Sequence, residues 1–112
     1  MKLPNWEHAI VPREKVVDYL LSITHRDGRY KAAFFNGFGF TADKWQDLVD
    51  TLVRHANSHE VAKEEASLFG TRYVVDGIMA MADGREALVR TVWFIDTGTD
   101  LPRFVTAYPM RR

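Results

Sequence analysis

Arg90 and Trp93 lie in the run Arg90-Thr91-Val92-Trp93-Phe94-Ile95-Asp96, and Thr106 and Tyr108 in Pro102-Arg103-Phe104-Val105-Thr106-Ala107-Tyr108-Pro109. Both runs are rich in β-branched and aromatic residues that suit a pleated sheet, and the Asp96-Thr97-Gly98-Thr99-Asp100 stretch between them is turn material. They read as the two strands of a hairpin. Thr106 and Tyr108 are two apart and share a face, whereas Arg90 and Trp93 fall on opposite faces. A cation, a hydroxyl, a phenol and an indole on paired strands are groups that bind a phosphate and stack a base. The same residues also make an ordinary polar sheet face.

Two other places gather reactive side chains. Thr24-His25-Arg26-Asp27-Gly28-Arg29-Tyr30-Lys31 places a histidine among three cations where a loop enters a helix. His25 has the side chain whose ordinary pKa lies nearest neutrality, as a general acid or base requires, and Lys31 near a helix start suits an anion. His55 and His59 are four apart at a helix end, the spacing that lets two imidazoles share a metal, with Glu60 or Glu64 as a third ligand; a lone histidine pair is a weak motif, and helix-end capping is the plainer explanation. Arg72 and Arg90 either clamp a phosphate with their planar forks or pair across strands with Asp76, Glu86 or Asp96.

The elements that must position these groups follow from periodicity. Pro12 opens a helix in which Val16, Val17, Leu20 and Leu21 repeat at helical spacing to about Ser22. A second helix spans Arg29–Gly37, with Phe34 and Phe35 buried. Thr41 is the expected N-cap of a third, whose stripe is Trp45, Leu48, Val49, Leu52, Val53 and Ala56. After Asn57-Ser58 the period becomes alternating, and four strands are expected: Glu60–Ser67, Thr71–Met81, Glu86–Asp96 and Arg103–Tyr108. Their short connectors force antiparallel neighbours. The expected class is α+β: one domain over 1–112, with three N-terminal helices (1–57) packed on a four-stranded antiparallel β-meander (58–112).

Charge and composition narrow the chemistry. Fifteen basic residues balance fifteen acidic ones, so no global field draws the chain to a polyanion, and any such site must be a small cluster made by folding. The absence of cysteine removes disulfides, thiolate metal sites and thiol nucleophiles. Met1-Lys2-Leu3-Pro4-Asn5-Trp6-Glu7 lacks the apolar stretch of a signal peptide, and no run approaches membrane-spanning length. A cytoplasmic protein without a membrane partner is expected. Phosphate-loop, dinucleotide, nucleophile-elbow and zinc-protease motifs do not occur.

Lys31-x-x-Phe34-Phe35-x-x-x-Gly39-Phe40-Thr41, Gly70-Thr71-Arg72-Tyr73, Arg90-Thr91-x-Trp93 and Val105-Thr106-Ala107-Tyr108-Pro109 resemble an uncharacterised family of small bacterial proteins along nearly the whole chain. The helices-then-meander order and the closing Thr-Ala-Tyr-Pro are also similar to the barnase–EndoU–colicin–RelE group of ribonuclease toxins. That resemblance implies a metal-independent endoribonuclease working by attack of a ribose 2′-hydroxyl on its own phosphate, with no cofactor, RNA as substrate, and a cognate antitoxin or immunity protein as partner. Mapped onto this chain, it implies catalytic His25, Lys31, Arg90 and Thr106, with Arg72, Trp93 and Tyr108 binding substrate and no metal. The alternative is a non-catalytic protein-binding module of a toxin–antitoxin or immunity-type pair. A metal-dependent small-molecule enzyme built on His55 and His59 is a third possibility.

Overall fold

The alternation after Asn57-Ser58 becomes a four-stranded antiparallel sheet in the computed structural model, which describes every residue from 1 to 110 except 23, 25, 27 and 28. Strands β1 (Val61–Ser67), β2 (Gly70–Ala80), β3 (Glu86–Asp96) and β4 (Arg103–Pro109) lie in the order β1-β2-β3-β4, a plain meander. Each bound falls within a residue or so of expectation, because the short turns leave little choice of register.

Three helical segments precede the sheet. The third, α3 (Trp45–Ser58), buries Leu48, Leu52, His55 and Ala56, one stripe at helical spacing. Thr41 does not cap it. Thr41 instead precedes a short 3₁₀ turn, Ala42–Lys44, and its side chain makes no capping bond. The second helix, α2 (Arg29–Gly37), buries Ala32 and Phe35; Phe34 is only half-buried, edge-on to Phe35 and Phe38. The first helix, α1, is short (Arg13–Lys15) and continues as a wider π-helical turn over Val16–Leu20, closed by the Leu21 N–H to Val16 carbonyl bond of 2.8 Å. The widening lets Val16, Leu20 and Leu21 all reach the core.

The helices cover one face of the sheet. Tyr73, Val75, Met79, Val89, Trp93, Phe104 and Ala107 meet Leu3, Val16, Leu20, Phe35, Phe40, Leu48 and Leu52 in one apolar cluster. On β4, Phe104 and Ala107 are three apart and both buried, which strict alternation forbids. A bulge between the pairs Thr106↔Val92 and Phe104↔Trp93 inserts the extra residue. It turns Thr106 and Tyr108 to the outer face, the sort of re-aiming that bulges provide. That outer face is not bare, since Val74 and Val92 are at most 1% exposed there.

Candidate functional site

Along β4 two small polar clusters lie side by side, one joining Thr106 to the helical layer and one on the outer face. In the first, the Lys31 ammonium at the start of α2 donates to the Tyr19 phenol oxygen at 2.5 Å, and Tyr19 in turn lies 3.1 Å from the Thr106 hydroxyl. All three side chains are half-buried. Burial raises the Tyr19 pKa, but the hydrogen bonds from Lys31 and Thr106, helped by the charges of Lys31 and Lys15, outweigh it and hold the phenol below its ordinary 10.

In the second cluster, Asp76, Arg90 and Tyr108 lie across three adjacent strands, with Asp76 paired to Arg90 and Arg90 to Tyr108 in the ladder. Arg90 grips Asp76 with a fork of 2.7 Å from Nε to Oδ1 and 2.9 Å from Nη2 to Oδ2. The bonds to Asp76 and to Tyr108 raise the Arg90 pKa further, so its positive charge is permanent. Two of the five guanidinium N–H groups go to Asp76, and Arg90 also interacts with Tyr108. Thr106 and Tyr108, two apart on β4, thus bring the Lys31–Tyr19–Thr106 cluster beside the Asp76–Arg90–Tyr108 cluster.

Of the expected site residues, Lys31 and Thr106 are joined through Tyr19, and Arg90 and Tyr108 are ladder partners beside them. Arg72 is on the same face as Asp76 but four ladder positions from it and is tied to Glu65 at 2.8 Å, a partner on β1 rather than Asp76, Glu86 or Asp96. His25 lies outside the described residues. Trp93 is 0% exposed: its ring stacks edge-on against Phe104 in the core and its indole N–H goes to Thr91 at 3.0 Å, which leaves no ring face open to a base. The physical reason is the opposite-face relation itself. With Arg90 outward, Trp93 must point to the helices.

The histidine pair is also committed. His55 Nε2 lies 3.1 and 3.0 Å from the Gly77 and Val89 carbonyl oxygens, so it must carry the hydrogen and donate to them. Nδ1 is then the acceptor for the Thr91 hydroxyl at 3.2 Å, and Thr91 accepts from Trp93. A buried chain of defined direction runs from indole to hydroxyl to imidazole to backbone. Burial depresses the His55 pKa, and the nearby His59 adds to this, against the two carbonyls and Asp76. His59 bonds the Ile78 carbonyl at 2.7 Å. Among the described residues no group of three or more His, Asp or Glu is arranged to hold a metal.

Tyr19 was not legible as a site residue. It sits within an apolar helical stripe, and its partners are 12 and 87 residues away.

A family model described as a domain of unknown function, DUF6883, matches residues 2–111. The chain belongs to the DUF6883 family. All the quoted resemblance motifs of this DUF6883 chain fall inside the matched span. Among solved structures, a chain of a contact-dependent growth inhibition toxin–immunity protein complex from Klebsiella pneumoniae 342 is similar to it. The TM-score is 0.70 at 16% identity, over 91% of this chain and 100% of that one. At that identity the likeness is one of fold. No curated protein matches the DUF6883 chain, and no described helix in it is long and apolar enough to cross a membrane.

Proposed function

We propose that this chain is a toxin-type, metal-independent endoribonuclease that cuts cytoplasmic RNA by 2′-hydroxyl transesterification. The observation that carries the reading is the outward row of Thr106, Tyr108 and Arg90 on β4 and β3, with Lys31 reaching its Thr106 end through Tyr19. It places two cations, one of them paired with Asp76, and two hydroxyl groups near one another in a chain of zero net charge. Lys31 and Arg90 hold the phosphate as it crowds toward five-coordination, and Thr106 and Tyr108 hydrogen-bond its oxygens. Arg72, on the same face, takes a neighbouring phosphate once Glu65 yields. His25 supplies or removes a proton, and Trp93 supports the site from beneath as a core residue. The likeness in fold to a chain of a toxin–immunity complex supports a cognate inhibitor as partner.

The test is incubation of the purified chain with total bacterial RNA in the presence of a chelator. Cleavage to 2′,3′-cyclic phosphate ends that persists with chelator, and drops in Lys31→Ala and Thr106→Val, is the expected result. Intact RNA at high protein concentration overturns it.

A second reading has its own observation. Leu68 and Phe69 at the β1–β2 turn are 91% and 78% exposed, and six of the seven residues of β1 are exposed. Such a surface suits a non-catalytic module that docks a protein partner. A stable stoichiometric complex together with inert behaviour toward RNA favours this second reading.

A further inference from the structure

We propose that Tyr19 is the proton acceptor of this site: its phenol oxygen, held between Lys31 Nζ and Thr106 Oγ1, takes the proton of the attacking ribose 2′-hydroxyl. The inference rests on the nuclease reading and adds a catalytic residue to it.

Three observations converge on Tyr19. The first is its place in the chain. It sits in the π-helical turn of Val16–Leu20, an uncommon widening found frequently at functional sites, and it stays half-buried while Val16 and Leu20 on either side are sealed in the core. The second is contact chemistry. A lysine ammonium has no lone pair and can only donate, so at 2.5 Å the phenol oxygen accepts a short, charge-assisted bond. Two ammonium groups surround the same ring, Lys31 Nζ at 4.9 Å and Lys15 Nζ at 5.6 Å from its centroid. This environment favours the phenolate over the phenol, in the direction already described for the Tyr19 pKa. The third is position. Thr106 touches Tyr19 and shares an outward face with Tyr108, whose ladder partner is Arg90, so the phenol lies at one end of the row that would seat the phosphate.

The step balances. The Tyr19 phenolate takes the 2′ proton as O2′ forms its bond to phosphorus. The P–O5′ bond breaks with its electron pair leaving on O5′, and a water, or His25 as the acid of the nuclease reading, protonates that oxygen. The hydroxide or neutral imidazole so formed recovers the proton from Tyr19. The products are a 2′,3′-cyclic phosphate and a free 5′-hydroxyl, with nothing oxidised or reduced. Lys31 stays protonated throughout, lowering the cost of the phenolate and of the crowded phosphate alike.

The experiment follows RNA cleavage by the wild type, Tyr19→Phe and Lys31→Met from about pH 5 to pH 10, with tyrosinate absorbance titrated in parallel. Tyr19→Phe removes one oxygen and keeps the ring. It should cleave about 10²-fold slower or worse and lose the earliest tyrosinate step. Lys31→Met should move both that step and the acidic limb of the rate profile to higher pH. Where Tyr19→Phe does not fold, the Lys31→Met profile decides: a shifted limb supports the proposal and an unmoved one overturns it. A Tyr19→Phe protein that cuts like the wild type overturns the role of Tyr19 and leaves the nuclease reading standing. A wild type that leaves RNA intact overturns the nuclease reading, and the role of Tyr19 falls with it.

Discussion

The guanidinium of Arg90 and the carboxylate of Asp76 face each other across the central strand pair, joined by two parallel hydrogen bonds of 2.7 and 2.9 Å. Both side chains are about a quarter to a third exposed, so the pair is neither a solvated surface contact nor a sealed one. Its geometry depends on the planar fork, which lysine cannot reproduce. In Arg90→Lys the charge survives while the fork and the contact to Tyr108 are lost. Stability should change by about 1 kcal/mol or less, whereas RNA cleavage should fall roughly tenfold or more. Parallel denaturant melts and cleavage rates check both halves, and an unaltered rate removes Arg90 from the site.

Thr91 has a different kind of importance. Its hydroxyl is the only link in the described chain between the Trp93 indole N–H and His55 Nδ1, all three side chains being buried. Thr91→Val keeps the shape and strands a donor and an acceptor away from water. A loss of about 2 kcal/mol or more is expected in urea unfolding. A loss below roughly 0.5 kcal/mol shows that the chain can satisfy these atoms otherwise.

His55 also makes stability depend on pH, and the sign can be worked out. Its folded pKa is depressed by burial, so between that value and the unfolded value near 6.5 the unfolded chain binds a proton that the folded chain does not. Stability is therefore present above about pH 6.5 and is lost as pH falls below it. The depressed carboxylates Asp83 and Asp96 act in the same direction, but only lower, below their ordinary 3.8. Thermal melts between about pH 7 and 5 isolate the histidine, and His55→Gln should flatten the curve there. A slope that survives this substitution assigns the effect to another group.

Gly77 tests the packing above β2. A Cβ at this position would overlap the His59 imidazole, which sits directly over the backbone and bonds the next carbonyl, that of Ile78. Gly77→Ala should displace the ring, break that bond and cost about 1–3 kcal/mol. The His59 ring resonances report the movement directly. A neutral substitution shows that the ring has room to swing aside.

The sheet was legible because alternation, short connectors and turn residues all point to the same antiparallel order. Helix α3 was legible from one long stripe. Other features were set by contacts between distant residues. The π-helical turn at Val16–Leu20 arises where three apolar residues must reach one core, and a stripe at helical spacing does not distinguish it from a regular helix. The bulge on β4 is visible only once Phe104 and Ala107 are both known to be buried. That Arg90 and Trp93 fall on opposite faces was readable; which of them faces the helices was the unread half. Arg72 found Glu65 because the β1–β2 register places them opposite each other, whereas Arg90 took the partner Asp76 that strand spacing had offered.

Strand β1 is the margin of the sheet, exposed at six of its seven residues, and among the described residues only Val61 is tied outside the β1–β2 hairpin, to the Met1 carbonyl. Opening there costs β2 contacts and the Val61 anchor, while opening β3 disturbs neighbours on both sides and the core beneath. The domain therefore has two clocks. Amide hydrogens of 61–67 should exchange with deuterium through a local motion within the folded lifetime, and those of 86–96 should wait for the whole molecule to come apart. Any partner that lies along β1 would be seen first as a slowing of the faster clock.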